Sequence, residues 1–365
     1  METKKTVLAV AAAGTVAGVA GLVLLASPAG AGEAPPALPE IGPEALVESV
    51  LSTTELPALS GAVSLENNLG LPVPGLSEMG QDGAVRVFTD GNGKHRLQLP
   101  SDGGETTVID DGKTVWVWDS VDRTVQKTAH GAEGKGKAET PLESRFADPA
   151  TAARELVDTM RADSTVAVDG TARVAGRPVY QLVLAPQPDE RTLLREIRVS
   201  VDSETRVPLQ IEVLANGQAD PAVKVGFTEF TAGPQDASLF QFTPPAGAEV
   251  TEQTPDKEFR GESAEDLFAG LDIEPYGEGW DTVLTGTVPA DLLTSQLPTG
   301  PRGEAGPGGN PLDLLGTIGK EVSGDFGTGY VIKAKVGTAL ITEDGKVALG
   351  FVPEEVVTEA VNQMK

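Results

Sequence analysis

The sequence predicts an α+β protein: a strongly curved antiparallel sheet of about eleven strands covered by helices, followed by a smaller C-terminal α+β unit. Three observations carry this. Apolar residues alternate with polar ones through two long blocks, one on each side of a helical pattern near residue 150. Short Gly/Asp/Asn turns separate the alternating runs, so successive strands form hairpins and the sheet is antiparallel. After Pro245 the alternation loosens, and a shorter series of helical and strand patterns begins.

The elements follow in order. In "PEALVESVLS", Leu46, Val50 and Leu51 share one helical face. "LSGAVSL" places Leu59, Val63 and Leu65 on one strand face. "AVRVFTDGNGKHRLQLP" and "ETTVIDDGKTVWVWD" read as hairpins turning at Asp90–Gly93 and at Asp111-Gly112, and "RTVQKT" adds a strand. The Gly- and Lys-rich stretch from His130 to Pro141 reads as a loop. "DPATAARELVDTM" is the strongest helix, with Asp148 placed to cap it, Pro149 in its first turn, and Ala152, Leu156 and Met160 as its apolar stripe. Two strands flank "AGRP", two more flank Asp202–Arg206, and "AVKVGFTEF" follows. "SLFQFTPPAGAEV" reads as a last strand that stops at Thr243, because Pro244 and Pro245 lack the N–H a ladder needs. The C-terminal unit has a strand near "WDTVLTG", helical turns at "PADLLTSQL" and "PLDLLGTIGKEV", a hairpin turning at Asp344-Gly345, and a closing helix, "PEEVVTEAVNQM".

Composition narrows function. The 365 residues carry 54 Asp+Glu against 28 Lys+Arg, a net charge of −26. Such a surface repels nucleic acid and anionic headgroups, and it favours a soluble monomer. The chain has no cysteine and two histidines, His95 and His130, so thiolate chemistry is excluded and a His-based metal centre disfavoured. No P-loop, dinucleotide fingerprint or nucleophile elbow occurs, so neither a cofactor nor an enzymatic activity is expected. "DGNGK" and "EDGK" lack the spaced carboxylates of a calcium loop and read as hairpin turns. Lys4 and Lys5, the apolar run Val7–Ala26 and Ala29-Gly30-Ala31 read as an export signal cleaved after Ala31, with an uncleaved membrane anchor as the rival reading. Either way the remainder works outside the cytoplasm.

With aromatics at 4%, their placement is informative. Trp116 and Trp118 share one face of their strand, with Val115 and Val117 on the other. Tyr180, Leu182 and Leu184 share a face, as do Phe240 and Phe242. Strands that are apolar on both faces need cover on both, and the helix near residue 150 offers one cover. These side chains either fill an ordinary core or line an apolar gap between sheet and helix, and periodicity allows both.

Three motifs in order, "DDGKTVWVWDSVDRTVQK", "VDSETRVPLQIEV" and "SLFQFTPPAGAEV", resemble the lipoprotein-carrier superfamily of LolA-like, RseB-like and LppX/LprG-like proteins. "DPATAARELVDTM" with "VAGRPVYQLVLAP" and a C-terminal extension resembles the actinobacterial branch. The resemblance covers roughly Pro43 to Val250. It implies an incomplete β-barrel closed by helices, with a cavity for acyl chains. The wall it implies comprises Leu97, Leu99, Trp116, Trp118, Tyr180, Leu182, Leu184, Phe230, Phe240 and Phe242 from the strands, and Leu156 and Met160 from the helix. The carriers' closed state uses an early-strand arginine, to which Arg86 or Arg96 corresponds; the lipobox cysteine of the lipoprotein members is absent. The implied partner is a lipid or acylated lipoprotein, and on the RseB-like alternative a membrane protein of the envelope, an anti-sigma factor. The expected organisation is a leader to residue 31, a linker over 32–42, the half-barrel over 43–252, a linker over 253–275 and the extension over 276–365.

Overall fold

A computed structural model describes residues 34–53, 56–70, 84–101, 103–130, 149–253, 273–288 and 311–364. The leader, the loop after His130, the linker over 254–272 and the turns at "PADLLTSQL" lie outside the described residues. From Pro36 onward the chain forms one compact unit.

Helix α1 is Pro43–Ser52, with Pro43 in its first turn and Leu46, Val47 and Val50 buried. Six strands follow: β1 Leu59–Asn67, β2 Val85–Thr89, β3 His95–Ser101, β4 Gly104–Asp110, β5 Thr114–Asp119 and β6 Thr124–Ala129. Helix α2, Pro149–Met160, leads to β7 Ser164–Val174, β8 Arg177–Pro186, β9 Leu194–Asp202, β10 Pro208–Ala215 and β11 Val223–Ala232. Strand β12 is Glu249–Gln253. The sheet runs β12-β6-β5-β4-β3-β2-β1-β11-β10-β9-β8-β7. Its edge strands β12 and β7 do not pair, so the barrel is incomplete, yet β7 curls back close to β11. The β7–β8 hairpin turns on Ala175 and Gly176, whose φ values of 49° and 76° are the left-handed pair of a two-residue turn that follows strand twist.

Both helices pack on one face of this sheet, α1 over β7 and β8 and α2 over β10 and β11. The core between them holds Leu46 and Val50, Ala153 and Val157, and Leu182, Leu184, Val199, Val201 and Leu209, all fully buried. The α2 stripe is rotated from the expected one. Ala150, Ala153 and Val157 are buried, and Ala152, Leu156 and Met160 pack half-buried at its edge. The small residues let the helix approach the sheet closely, which periodicity alone does not weigh.

The end of the large sheet differs from expectation. "SLFQF" is not a strand. Asp236 accepts the Ser238 N–H at 2.8 Å and caps a 3-10 turn over Ala237–Phe240. The chain then runs extended to Gly247, and pairing begins only at β12, parallel to β6. No ladder reaches the prolines, because the capping carboxylate upstream has already turned the chain away from one.

The second sheet is ordered β13-β14-β18-β17-β16-β15. Its strands are β13 Glu274–Tyr276, β14 Val283–Thr287, β15 Lys320–Gly324, β16 Gly327–Lys333, β17 Thr338–Thr342 and β18 Lys346–Gly350. Helix α3 is Pro311–Ile318 and α4 is Glu354–Gln363. Thus "GKEV" is strand rather than helix, and the expected hairpin is three strands with an added turn at Gly337. Val356, Val357, Ala360 and Val361 of α4 cover Val283, Val331, Leu340 and Ala348.

Candidate functional site on the helix-covered face

Strand register sorts the large sheet into two faces. On the helix-covered face a row crosses from β11 to β6: Phe230, Gly61, Val87, Leu97, Val108, Val117 and Gln126. Strands lie about 4.8 Å apart, so this row extends roughly 29 Å. Phe230, Val87 and Val108 are buried, and Leu97 and Val117 are half-buried. Leu99 and Val115 flank the row, also half-buried, on the same face. Among the described residues the main packing of α1 is on β7 and β8 and that of α2 on β10 and β11, away from β3–β6. The apolar row therefore continues beyond the helices that seal β7–β11. It ends at Gln126, whose Oε1 is buried without a hydrogen-bond partner.

Gly61 makes the row continuous. A Cβ there would stand 2.6 Å from the Glu229 carbonyl oxygen and 2.7 Å from Phe227 Cδ1. The Phe227 ring lies over the glycine and meets Phe230 edge-on, with centroids 5.2 Å apart.

The expected wall residues separate into three groups. Tyr180, Leu182, Leu184 and Phe230 are on the helix-covered face and buried, with Leu156 and Met160 packed beside that core. Tyr180 also donates its hydroxyl to the Pro39 carbonyl at 2.9 Å, while Arg206 stands over its ring at 5.2 Å. Leu97 and Leu99 lie on the less covered part of that face. Trp116 and Trp118 do not join them. Register puts both on the opposite face, beside Ile109, Thr107 and Val125.

Phe240 and Phe242 also lie off the row, because their segment crosses the opposite face. The Phe242 ring meets Trp116 at 5.6 Å, Phe240 is 2% exposed, and Arg96 donates to the Leu239 carbonyl at 3.2 Å. Trp116 Nε1 donates to Asp111 at 3.2 Å, and Lys127 stands over its ring at 5.6 Å. Burial pushes the Asp111 carboxyl up, but the Lys113 and Thr114 amides and the Trp116 indole outweigh it and hold it below its usual range. The two prominent aromatic motifs thus build a second, outer core together. What sequence reading left out of the row is Gly61, Val87, Val108, Val117 and Gln126, and the alternation in "TVWVWD" already set Val117 on the face opposite the tryptophans.

Of the two arginines, Arg86 is exposed and Arg96 pins the 3-10 turn. His130 sits 3.0 Å from Asp110 at the sheet's end, and among the described residues no cluster of three or more His, Asp or Glu side chains is placed to hold a metal.

The second motif is a turn lock. The fully buried Asp202 accepts from Arg177 Nε at 2.8 Å and Nη2 at 3.0 Å, and from the Thr205 amide and hydroxyl at 2.7 and 2.9 Å. Burial pushes its pKa up, but the Arg177 guanidinium and Thr205 outweigh this and hold it below the usual value. Arg206 takes φ 62° to close the turn.

No family model and no curated protein matches the chain. Solved structures do align with it. MucB in the MucA/MucB complex of Pseudomonas aeruginosa aligns with a TM-score of 0.37 at 15% identity, over 87% of this chain and 95% of that one. A LolA superfamily protein from Nitrosomonas europaea aligns at 0.22 and 10% identity, over 56% of this chain and 99% of that one. A DUF1329 family protein from Desulfovibrio piger aligns at 0.22 and 12%, over 55% and 97%. The observed architecture, an unclosed antiparallel sheet with helices on one face and a smaller sheet after it, is the α+β fold the sequence predicts.

Proposed function

We propose that this chain is an extracytoplasmic binding protein that holds the acyl chains of a lipid or lipoprotein against the helix-covered face of its half-barrel. The observation that carries this is the apolar row from Phe230 to Val117, which runs on past the helices and stays half-buried at Leu97 and Val117. Burying a methylene contributes about 0.8 kcal/mol, so a row of this length retains a long acyl chain without covalent chemistry. Binding and release, rather than catalysis, is the work such a surface does.

Native mass spectrometry of protein purified gently from membrane-containing cells tests this reading. A co-purifying lipid is expected, lost in Leu97→Asp and Val117→Asp but kept in Trp118→Ala on the opposite face. No lipid in the wild-type protein, together with no uptake of an acyl probe by the emptied chain, ends the proposal.

A second reading, capture of an envelope membrane protein in the manner of an anti-sigma-factor regulator, is favoured by one feature. The second sheet leaves Leu284, Leu349 and Phe351 exposed at 43%, 38% and 55%, with Leu284 and Leu349 directly opposite across β14 and β18. Pull-down from envelope extract with wild type and Leu349→Lys separates the two. A membrane protein lost from the variant supports regulation; unchanged recovery removes it.

A further inference from the structure

The second sheet does more than follow the first. Two of its apolar side chains enter the large sheet's core: Trp280, 2% exposed, and Val336, 4% exposed. Trp280 Nε1 donates to Ser164 Oγ at 2.9 Å, and Ser164 Oγ donates to the Met160 carbonyl at 2.6 Å, so the indole sits where α2 hands over to β7. Val336 arrives beside the exit of β1, where the Lys335 amide donates to the Leu69 carbonyl at 2.9 Å. Between them, the Phe351 carbonyl accepts from the Leu193 amide at 2.8 Å and from Thr192 Oγ1 at 2.7 Å, at the entry of β9. The exit of β1 and the entries of β9 and β7 lie at one end of an antiparallel sheet. The C-terminal unit therefore covers that end of the sheet at β1, β9 and β7, beside the helix that carries Leu156 and Met160.

Most of the polar contacts that accompany these plugs come from one short connection, residues 187–193 between β8 and β9. Glu190 accepts the Trp280 amide at 2.7 Å. Arg191 makes two bonds to Glu359, at 3.0 and 2.9 Å, with the pair 52% and 48% exposed. An exposed ion pair of this kind is weak and responds to its surroundings, unlike the fully buried Asp202 lock. The contact combines apolar plugs, which must leave together, with a polar clasp that is easily undone.

We propose that the C-terminal unit is a releasable stopper: undoing the 187–193 clasp withdraws Trp280 and Val336 and opens that end of the half-barrel to an acyl chain. The ligand rests on the function proposed above; the stopper itself is a property of this contact. When only a small fraction of molecules is open, apparent affinity scales with that fraction.

The chain lacks cysteine, so Arg191→Cys with Glu359→Cys gives a single pair that a short bis-maleimide bridges across the clasp. A fluorescent sixteen-carbon acyl probe is titrated into the bridged chain, the unbridged chain, wild type, and Arg191→Ala with Thr192→Val. The clasp variant is expected to bind about ten-fold more tightly than wild type, and the bridged chain about ten-fold more weakly than its unbridged form. Equal binding in bridged and unbridged chains overturns the stopper. A second readout does not need a ligand. With Trp116→Phe and Trp118→Phe, Trp280 is the sole tryptophan, and its acrylamide quenching should rise in the clasp variant and fall on bridging. If no chain binds the probe, the acyl-binding function fails, and unchanged quenching then overturns the stopper while changed quenching upholds it.

Discussion

At Gly61 one hydrogen atom decides whether two aromatic rings pack. The strand needs no unusual backbone there; it needs space, because Phe227 lies where a Cβ would go. Gly61→Ala is expected to destabilise the protein by about 1–3 kcal/mol, as overpacking does, read from the urea midpoint at unchanged m-value. Asp202 shows the opposite economy, a charge kept in the interior by its partners. Asp202→Ala leaves Arg177 facing an emptied site and should cost roughly 3 kcal/mol in urea denaturation. Its pKa is lowered in the folded chain, so its stabilisation is full above the unfolded value near 4 and is lost as pH falls through the depressed folded value. Wild type should therefore lose stability steeply below about pH 4. The Asp202→Asn variant should show a shallower acid limb in the same melts.

Strand β5 has two jobs. Its valines belong to the row on the helix-covered face, and its tryptophans anchor the segment that crosses the other face to β12. Phe242→Ala is expected to loosen that crossing. Hydrogen exchange should quicken over residues 236–253 while the β7–β11 half stays protected, because the two regions share no packed side chain from this segment. A global loss of protection would show instead that the crossing supports the whole sheet. In α2, Val157→Ala opens space against a fully closed core and should cost about 1 kcal/mol or more in the same denaturation assay.

At the scale of the molecule, two sheets meet through plugs and a clasp, and only the plugs carry much hydrophobic area. Trp280→Ala is expected to cost about 3–5 kcal/mol, the usual loss for a buried tryptophan. Glu359→Gln removes only an exposed pair and should leave the thermal midpoint within about a degree or two. Equal effects from both substitutions would mean the indole is not the anchor. A chain of net charge −26 repels itself at low ionic strength, so added salt should raise its midpoint even though it weakens the Arg191–Glu359 pair.

Much of this was legible in the residues. Period-two alternation with Gly- and Asp-bearing turns located β1–β11, because side-chain direction along a strand is a local property. Three motifs in order carried the superfamily resemblance, and two of them prove to be local devices, the Asp202 turn and the Trp116 strand. What the alternation left open was which face of one strand joins which face of another. Trp116 and Leu97 were both apolar strand residues, and only the register across β3, β4 and β5 put them on opposite sides. The failure at "SLFQF" has the same origin, since the Asp236 cap competes locally with a ladder whose partner strand lies more than a hundred residues earlier. Nor could spacing reveal that Trp280, in the turn between two strands of a separate sheet, completes the first core. Local chemistry writes the strands and turns. Which surfaces close on one another depends on contacts between distant parts of the chain, and those exist only once the sheet has curved and the second sheet has docked against its end.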